Sequence, residues 1–437
     1  MFTRARYVVI DDKENELMQL ANCLRKIGAP CLPLLYDLAE GVDTRHLAGV
    51  RLLFLDLHLT TGGQTTDIAQ ASAVIAGLLE DGIVPEAGPY VIILWTTHQP
   101  HRDEFETYIM DHVEPLKRPL TILSLDKNEY LAGDAGEKLM TDIGQVIQTD
   151  PRLKALLDWE REVLRAAGTT LAEVGALVSA DDRKATRFSE RLDEVLSLLA
   201  AEAIGTQNAK ADPYSAVNAA LMPILADRIS NQHIDPDSNA IWAAAVTKIG
   251  DVPPPSLAEA AKLNSMLHVA TSSSEELRPG AWGAISLLPD AELADDRMMA
   301  RFNLTAKPLF SQRFAMTEKA DRAASRLCLL RVGASCDYAQ NRPGPVPFML
   351  GAIMPANAQR RTENLPKAEI VTPPLMIEGF VEPVRIAFNG HLTVTMVPKD
   401  FEEWPPLCRL RESLLMQITT HGAQNATRPA IISFSAD

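Results

Sequence analysis

Four short apolar runs punctuate the first third of the chain, and each delivers a polar or charged residue at its carboxyl end. Tyr7-Val8-Val9-Ile10 leads to Asp11-Asp12, and Arg51 to Leu55 leads to Asp56. Tyr90 to Trp95 leads to Thr96-Thr97, and Leu120 to Leu125 leads to Lys127. Continuous apolar runs of this length predict strands buried on both faces, since a half-exposed strand would alternate apolar and polar positions. A weaker strand is expected around Pro30 to Leu35.

Between these runs the period changes to that of a helix. Leu17, Leu20, Ala21, Leu24 and Ile27 recur at helical spacing, with Gly28 as a stop. Ile68, Ala71, Ile75, Leu78 and Leu79 make a second stripe. Phe105, Tyr108 and Ile109 make a third, opened by Pro100, and Leu139, Ile143, Val146 and Ile147 a fourth. Buried strands alternating with amphipathic helices predict an α/β domain built on a doubly wound parallel sheet, spanning residues 1–149. The carboxyl ends of parallel strands lie at one rim, where such sheets place ligands.

The residues expected at that rim share a chemistry. Clustered carboxylates repel one another unless a hard cation neutralises them, and Mg²⁺ accepts such oxygen ligands together with water and a phosphoryl oxygen. A carboxylate is also a competent nucleophile toward phosphorus. Charge on a phosphoryl group in transfer is then met by a cation, a hydroxyl and an ammonium. By this logic Asp56 is the phospho-acceptor, with Asp11, Asp12 and Asp56 as Mg²⁺ ligands. Thr96 or Thr97 would hydrogen-bond the phosphoryl group and Lys127 would pair with it. Taken singly, each residue has an ordinary explanation as a helix cap, a turn former or a solvated lysine.

The order Asp11-Asp12, Asp56, Thr96, Lys127 resembles that of two-component response-regulator receiver domains, over about the first third of the chain. The resemblance implies a flavodoxin-like fold, Mg²⁺ dependence, and phosphorylation of Asp56 by a phosphohistidine on a histidine-kinase-like ATPase. The segments from Asp56 to Thr96 and from Thr96 to Lys127 are longer than usual, with loops expected at Thr60 to Gly63 and Gly82 to Gly88. Asn128 stands where the family has proline, and Ser124 where an aromatic switch residue is common, which implies an altered route of transmission.

Composition limits the classes available. A length of 437 residues implies several domains. No apolar stretch approaches the ~20 residues needed to span a bilayer, and Met1 to Arg6 lead straight into a strand, so neither a membrane anchor nor a signal peptide is expected. Five cysteines without metal-site spacing fit a reduced cytoplasm. A formal charge of −15 argues against nucleic acid as the main partner.

Residues 150–270 read as a helical region. Asp150-Pro151 is a start signal, followed by an apolar face of Leu153, Leu156, Leu157, Val163 and Leu164 that Glu160 interrupts. Phe188, Leu192, Val195, Leu196 and Leu199 form another face, with later helices over Tyr214 to Ile229, Ser238 to Ile249 and Ser256 to Val269. They would build an ordinary bundle, or a pair serving as a homodimer or kinase-docking surface. Residues 271–437 turn to short runs broken by Pro and Gly, predicting a β-rich barrel or sandwich. Its strands are expected at Gly283 to Leu288, Leu327 to Val332, Pro347 to Ile353, Leu375 to Phe380, Val384 to Phe388 and Leu392 to Val397. A helix over Leu407 to Thr419 and a strand over Ala430 to Phe434 would close it.

Ser335-Cys336-Asp337-Tyr338-Ala339-Gln340 resembles a segment of poorly characterised bacterial proteins that accompany receiver-like modules, some in phage-defence-type loci. Cys336 beside Asp337, with His268 as a base, would make a thiol site, although a neighbouring carboxylate raises a thiol's pKa, against activation. Phosphate-binding loops and His-Glu-x-x-His or Gly-x-Ser-x-Gly motifs are missing. His98 and His101 lack further ligands and read as a solvated helix start. The sequence thus predicts a signalling protein with a phosphorylated receiver. The alternatives are a pseudo-receiver serving as an interaction module in a defence or stress complex, and an enzyme with its site near Cys336.

Overall fold

The structure, a computed structural model, describes every residue except 1–3, 27, 60–66, 97–100, 131–135, 149, 232–235, 273–275, 341–343, 362, 364–367 and 427–437. Thr97, His98, the Thr60 to Gly63 loop and the expected terminal strand lie outside the described residues. The chain divides into two compact units. One gathers Met1–Leu164 with His233–Thr247, and the other Arg165–Gln232 with Lys248–Asp437.

The first unit alternates strands and helices where the periodicity predicts them, with only a short 3₁₀ turn, Thr44–Leu47, between its second and third strands. Strands β1 (Tyr7–Asp11), β2 (Cys31–Leu35), β3 (Leu52–Leu55), β4 (Val91–Thr96) and β5 (Ile122–Asp126) form an all-parallel sheet in the order β2-β1-β3-β4-β5. Helices α1 (Glu14–Lys26), α2 (Ile68–Gly82), α3 (Arg102–His112) and α4 (Gly136–Gln148) connect or follow them. Successive strand residues point to opposite faces. Val8, Ile10, Leu53, Leu55, Ile92 and Leu94 therefore meet Ile75 and Leu79 of α2 and Phe105 and Ile109 of α3. Val9, Phe54, Ile93 and Trp95 meet Leu20 and Leu24 of α1 and Leu139 and Ile143 of α4. Both faces are covered, which is why the strands are apolar without interruption.

Helix α5 (Pro151–Ala176) starts as expected, with the Asp150 carboxylate accepting from the Arg152 N–H at 2.9 Å. The interruption at Glu160 is an anchor. It pairs with Arg6 at 2.5 Å and Arg51 at 3.0 Å, beside the amino ends of β1 and β3. Helices α6 (Ala185–Ile204), α7 (Thr206–Ala211), α8 (Pro213–Asn231), α9 (Pro236–Ala245) and α10 (Leu257–His268) fill the region read as helical. In the second unit α6 and α8 pack together around Ala200, Ile204 and Ala216.

The second unit carries a seven-stranded antiparallel sheet in the order β10-β11-β9-β8-β7-β12-β6. Its strands are β6 (Val269–Ala270), β7 (Ala284–Leu287), β8 (Arg326–Arg331), β9 (Val346–Pro355), β10 (Glu369–Val371), β11 (Val384–Met396) and β12 (Pro406–Leu410). The expected β-rich domain is present, as one open antiparallel sheet in place of a closed barrel or a two-sheet sandwich, and helical segments pack on it. Leu414, Leu415 and Ile418 of the helix Glu412–Ala426 cover one face, while Met298, Leu309 and Phe314 cover the other.

Three element boundaries also differ from expectation. Leu375 to Phe380 is not a strand, because Pro373 and Pro374 remove ladder donors just before it, and Leu375 keeps only an isolated bridge to Val384. The runs Val384 to Phe388 and Leu392 to Val397 join in β11 through a register shift between Phe388 and Thr393. The helix expected from Leu407 starts at Glu412, since Cys408 and Leu410 bury alternate positions of β12. Among the described residues no helix is long and apolar enough to cross a membrane.

Candidate functional site

The sheet order makes a site at one place. From β1 the chain passes through α1 to β2 on one side, while β3, β4 and β5 continue on the other. The order therefore reverses between β1 and β3, and open α/β sheets place their ligands beyond the carboxyl ends of the strands at such a point. Asp11 closes β1 and Asp12 follows it. Asp56 follows β3, its N–H donating to the Ile10 carbonyl at 3.0 Å. Thr96 closes β4, and Lys127 opens a short 3₁₀ turn after β5.

Lys127 is the centre of the cluster. Its side chain is 2% exposed, and its Nζ donates to Asp11 Oδ2 at 2.7 Å, Glu16 Oε2 at 2.7 Å and Asp56 Oδ2 at 2.8 Å. Glu16 also pairs with Lys13 at 3.2 Å. Asp11 Oδ1 accepts the Lys13 N–H at 2.9 Å, which fixes the turn into α1. Thr96 is buried at the same rim. The expected residues Asp11, Asp12, Asp56, Thr96 and Lys127 thus converge.

Burial and charge oppose each other here. Burial pushes the Asp11 carboxyl up to about 6, although the Lys127 ammonium pulls it back. Asp12 is raised by burial and by Asp56. Burial alone would lower Lys127, but the carboxylates of Asp56 and Asp11 outweigh it and hold the ammonium above its ordinary value. Glu16 goes the other way: burial would raise it, yet Lys127 and Lys13 bring it below the usual carboxylate range.

Four carboxylates (Asp11, Asp12, Glu16, Asp56) face two ammonium groups (Lys13, Lys127), so the fully ionised cluster carries two excess negative charges. One ligand oxygen from each of Asp11, Asp12 and Asp56 lies within 4.8 Å of the others. At that separation each carboxylate pair repels by roughly 3–4 kcal/mol for an effective dielectric near 20. The buried Oδ1 of Asp12 has no hydrogen-bond partner. An all-oxygen donor set with excess negative charge and an orphaned oxygen fits a hard divalent cation.

Sequence reasoning missed Glu16. The signal was present: Glu16, Leu20 and Leu24 are spaced by four, so an acid stands on the apolar stripe of α1 and is buried with it. Asn128 also has a local reason. Its N–H donates to the Asp126 carboxylate at 2.9 Å, a bond that proline cannot make. Tyr130, at the end of the same turn, stacks on Trp95 with ring centroids 5.6 Å apart and donates its hydroxyl to Asp142 at 2.7 Å.

The second expected constellation is different. His268 ends α10, while Cys336 and Asp337 lie in the short helix Ser335–Ala339 after β8, and the Cys336 side chain lies outside the described residues. A cavity of about 360 Å³ in the first unit lies at the amino ends of β1 and β3, lined by Arg6, Arg51, Lys154, Asp158, Glu160 and Arg161 among others. Both of its carboxylates are paired, Glu160 with Arg6 and Arg51 and Asp158 with Lys154 and Arg161. Comparison with known proteins finds no family model, no curated protein and no solved structure that matches this chain.

Proposed function

We propose that the first unit is a receiver that takes a phosphoryl group onto Asp56 from a phosphohistidine of a histidine-kinase-like ATPase. The observation that carries this reading is the buried Lys127 ammonium, held between Asp11 and Asp56 where the strand order reverses. The order β2-β1-β3-β4-β5 is the one a flavodoxin-like fold would have, which further supports the reading. Attack by an Asp56 carboxylate oxygen on phosphorus forms an acyl phosphate and breaks the donor's P–N bond, whose electron pair stays on the imidazole. Asp11, Asp12 and Asp56 would hold Mg²⁺, which when bound supplies charge neutralisation to the phosphoryl oxygens. Lys127 would move its donors onto a phosphoryl oxygen, and the Thr96 hydroxyl would donate to another. The altered charge at the rim would then shift the surface that meets a partner.

Incubation with Mg²⁺ and a small phosphodonor, followed by intact-mass measurement, tests this. A single phosphoryl adduct that disappears in Asp56→Ala is expected. A second reading, the pseudo-receiver acting as a constitutive interaction module in a defence or stress complex, draws on Lys127 itself, whose ammonium bonds three of the four carboxylates. No adduct together with no Mg²⁺ binding would decide for that reading.

A further inference from the structure

We infer that Glu16 is a positioning residue that holds Lys127 when a divalent cation takes Asp11 and Asp56; the inference rests on the receiver reading above. The geometry poses a conflict. The Lys127 Nζ bonds Asp11 Oδ2 at 2.7 Å and Asp56 Oδ2 at 2.8 Å, and both carboxylates belong to the oxygen cluster suited to the cation. An ammonium and a divalent cation therefore compete for the same two side chains. Lys127 cannot simply leave, because it is buried and an unpaired buried ammonium is strongly unfavourable.

Glu16 resolves the conflict. Its Oε2 already accepts from Lys127 at 2.7 Å, and Glu16 is not one of the three clustered metal-type ligands. It lies on α1, four residues beyond Asp12, so it approaches the ammonium from the helix and not from a strand end. Lys13, at 3.2 Å, pairs with the other oxygen of Glu16 and keeps the carboxylate oriented. When the cation engages Asp11, the ammonium stays on Glu16 within reach of the Asp56 carboxylate. There it is placed for a phosphoryl oxygen. Without Glu16, each bound cation would leave Lys127 facing a like charge with fewer compensating partners. Cation affinity would fall through Lys127, and not through Glu16 acting on the cation directly.

A double-mutant cycle on the full chain separates these routes, with Mn²⁺ binding followed by titration calorimetry in wild type, Glu16→Gln, Lys127→Met and the double variant. Glu16→Gln is expected to weaken Mn²⁺ by about tenfold in the wild-type background and by less than about twofold beside Lys127→Met. Equal losses in both backgrounds overturn the proposal, because Glu16 would then be a plain electrostatic contributor. If Mn²⁺ binds none of the four proteins, the receiver reading itself fails and the inference falls with it. Should Lys127→Met not fold, the Lys127 ammonium resonance in ¹⁵N-lysine-labelled protein decides. Retention of that signal on Mg²⁺ saturation in wild type with loss in Glu16→Gln supports the proposal, and retention in both overturns it.

Discussion

The two ends of the parallel sheet each gather charged side chains, and the contrast between them separates a site from a clasp. At the carboxyl end four carboxylates share two lysines, and Asp11, Glu16, Asp56 and Lys127 are all buried. At the amino end Arg6 and Arg51 flank the single carboxylate of Glu160, whose side chain is 26% exposed. The amino-end cluster has every carboxylate oxygen engaged by arginine and ties α5 to the sheet. The carboxyl-end cluster has excess like charge under burial, an arrangement that folding stability alone does not favour. Fold geometry concentrates ligand chemistry at only one of these ends.

The largest expected effect is at Lys127. Lys127→Met should destabilise the chain by about 3–5 kcal/mol, because it strips the shared partner from three buried carboxylates. Urea unfolding monitored by circular dichroism measures this, and millimolar Mg²⁺ should restore part of the loss. A change under about 1 kcal/mol would put the carboxyl end in the same class as the amino end.

Next comes pH. Asp11 is raised from 3.8 to about 6, so the folded state holds its proton more tightly than the unfolded state. Its contribution to stability is therefore greatest below 3.8 and is lost as pH rises through about 6. Glu160 runs opposite: burial would raise it, but Arg51 and Arg6 hold it below 4.5, so its stabilisation is present above that value and lost on acidification. Asp11→Asn should flatten the stability profile near pH 6 and leave the acid limb, while Glu160→Gln should do the reverse. Thermal midpoints across pH 3 to 8 would show it, and matching profiles for both variants would erase the contrast.

Glu160→Gln should itself cost about 1 kcal/mol at neutral pH, as a partly exposed ion-pair network. Asn128→Pro is expected to cost a similar or smaller amount, about 0.5–1 kcal/mol, by deleting the N–H that caps on Asp126. If Asn128→Pro proved stabilising instead, the turn carrying Lys127 would owe little to that bond.

How much of this was legible beforehand depended on which physical signal each residue carried. The four strand ends could be read because strands buried on both faces leave no other place for a polar residue. Glu16 was harder, since a single acid on an amphipathic stripe looks like tolerance until its partner, 111 residues away, is brought beside it. Glu160 stands out in sequence as an interruption of an apolar face, but its arginines lie before β1 and β3 and only the fold collects them. In the second unit most of the short runs are legible as strands, Leu375 to Phe380 excepted, yet what covers their sheet is not. A strand covered by helices and one covered by a second sheet carry the same apolar pattern, and the covering helices were obscured by brevity at Asp295–Phe302 and by the adjoining β12 at Glu412–Ala426.

The stack of Trp95 on Tyr130 gives the site an optical handle. Trp95 immediately precedes Thr96, and the Tyr130 N–H bonds the Lys127 carbonyl, so the two rings bracket Thr96 and Lys127 along the chain. Coupled aromatic transitions in a buried, fixed pair give a near-ultraviolet dichroic band whose sign and size follow their mutual orientation. Any displacement of Lys127 that turns its 3₁₀ segment would therefore register as a change in that band, without labelling the protein or altering a residue of the cluster.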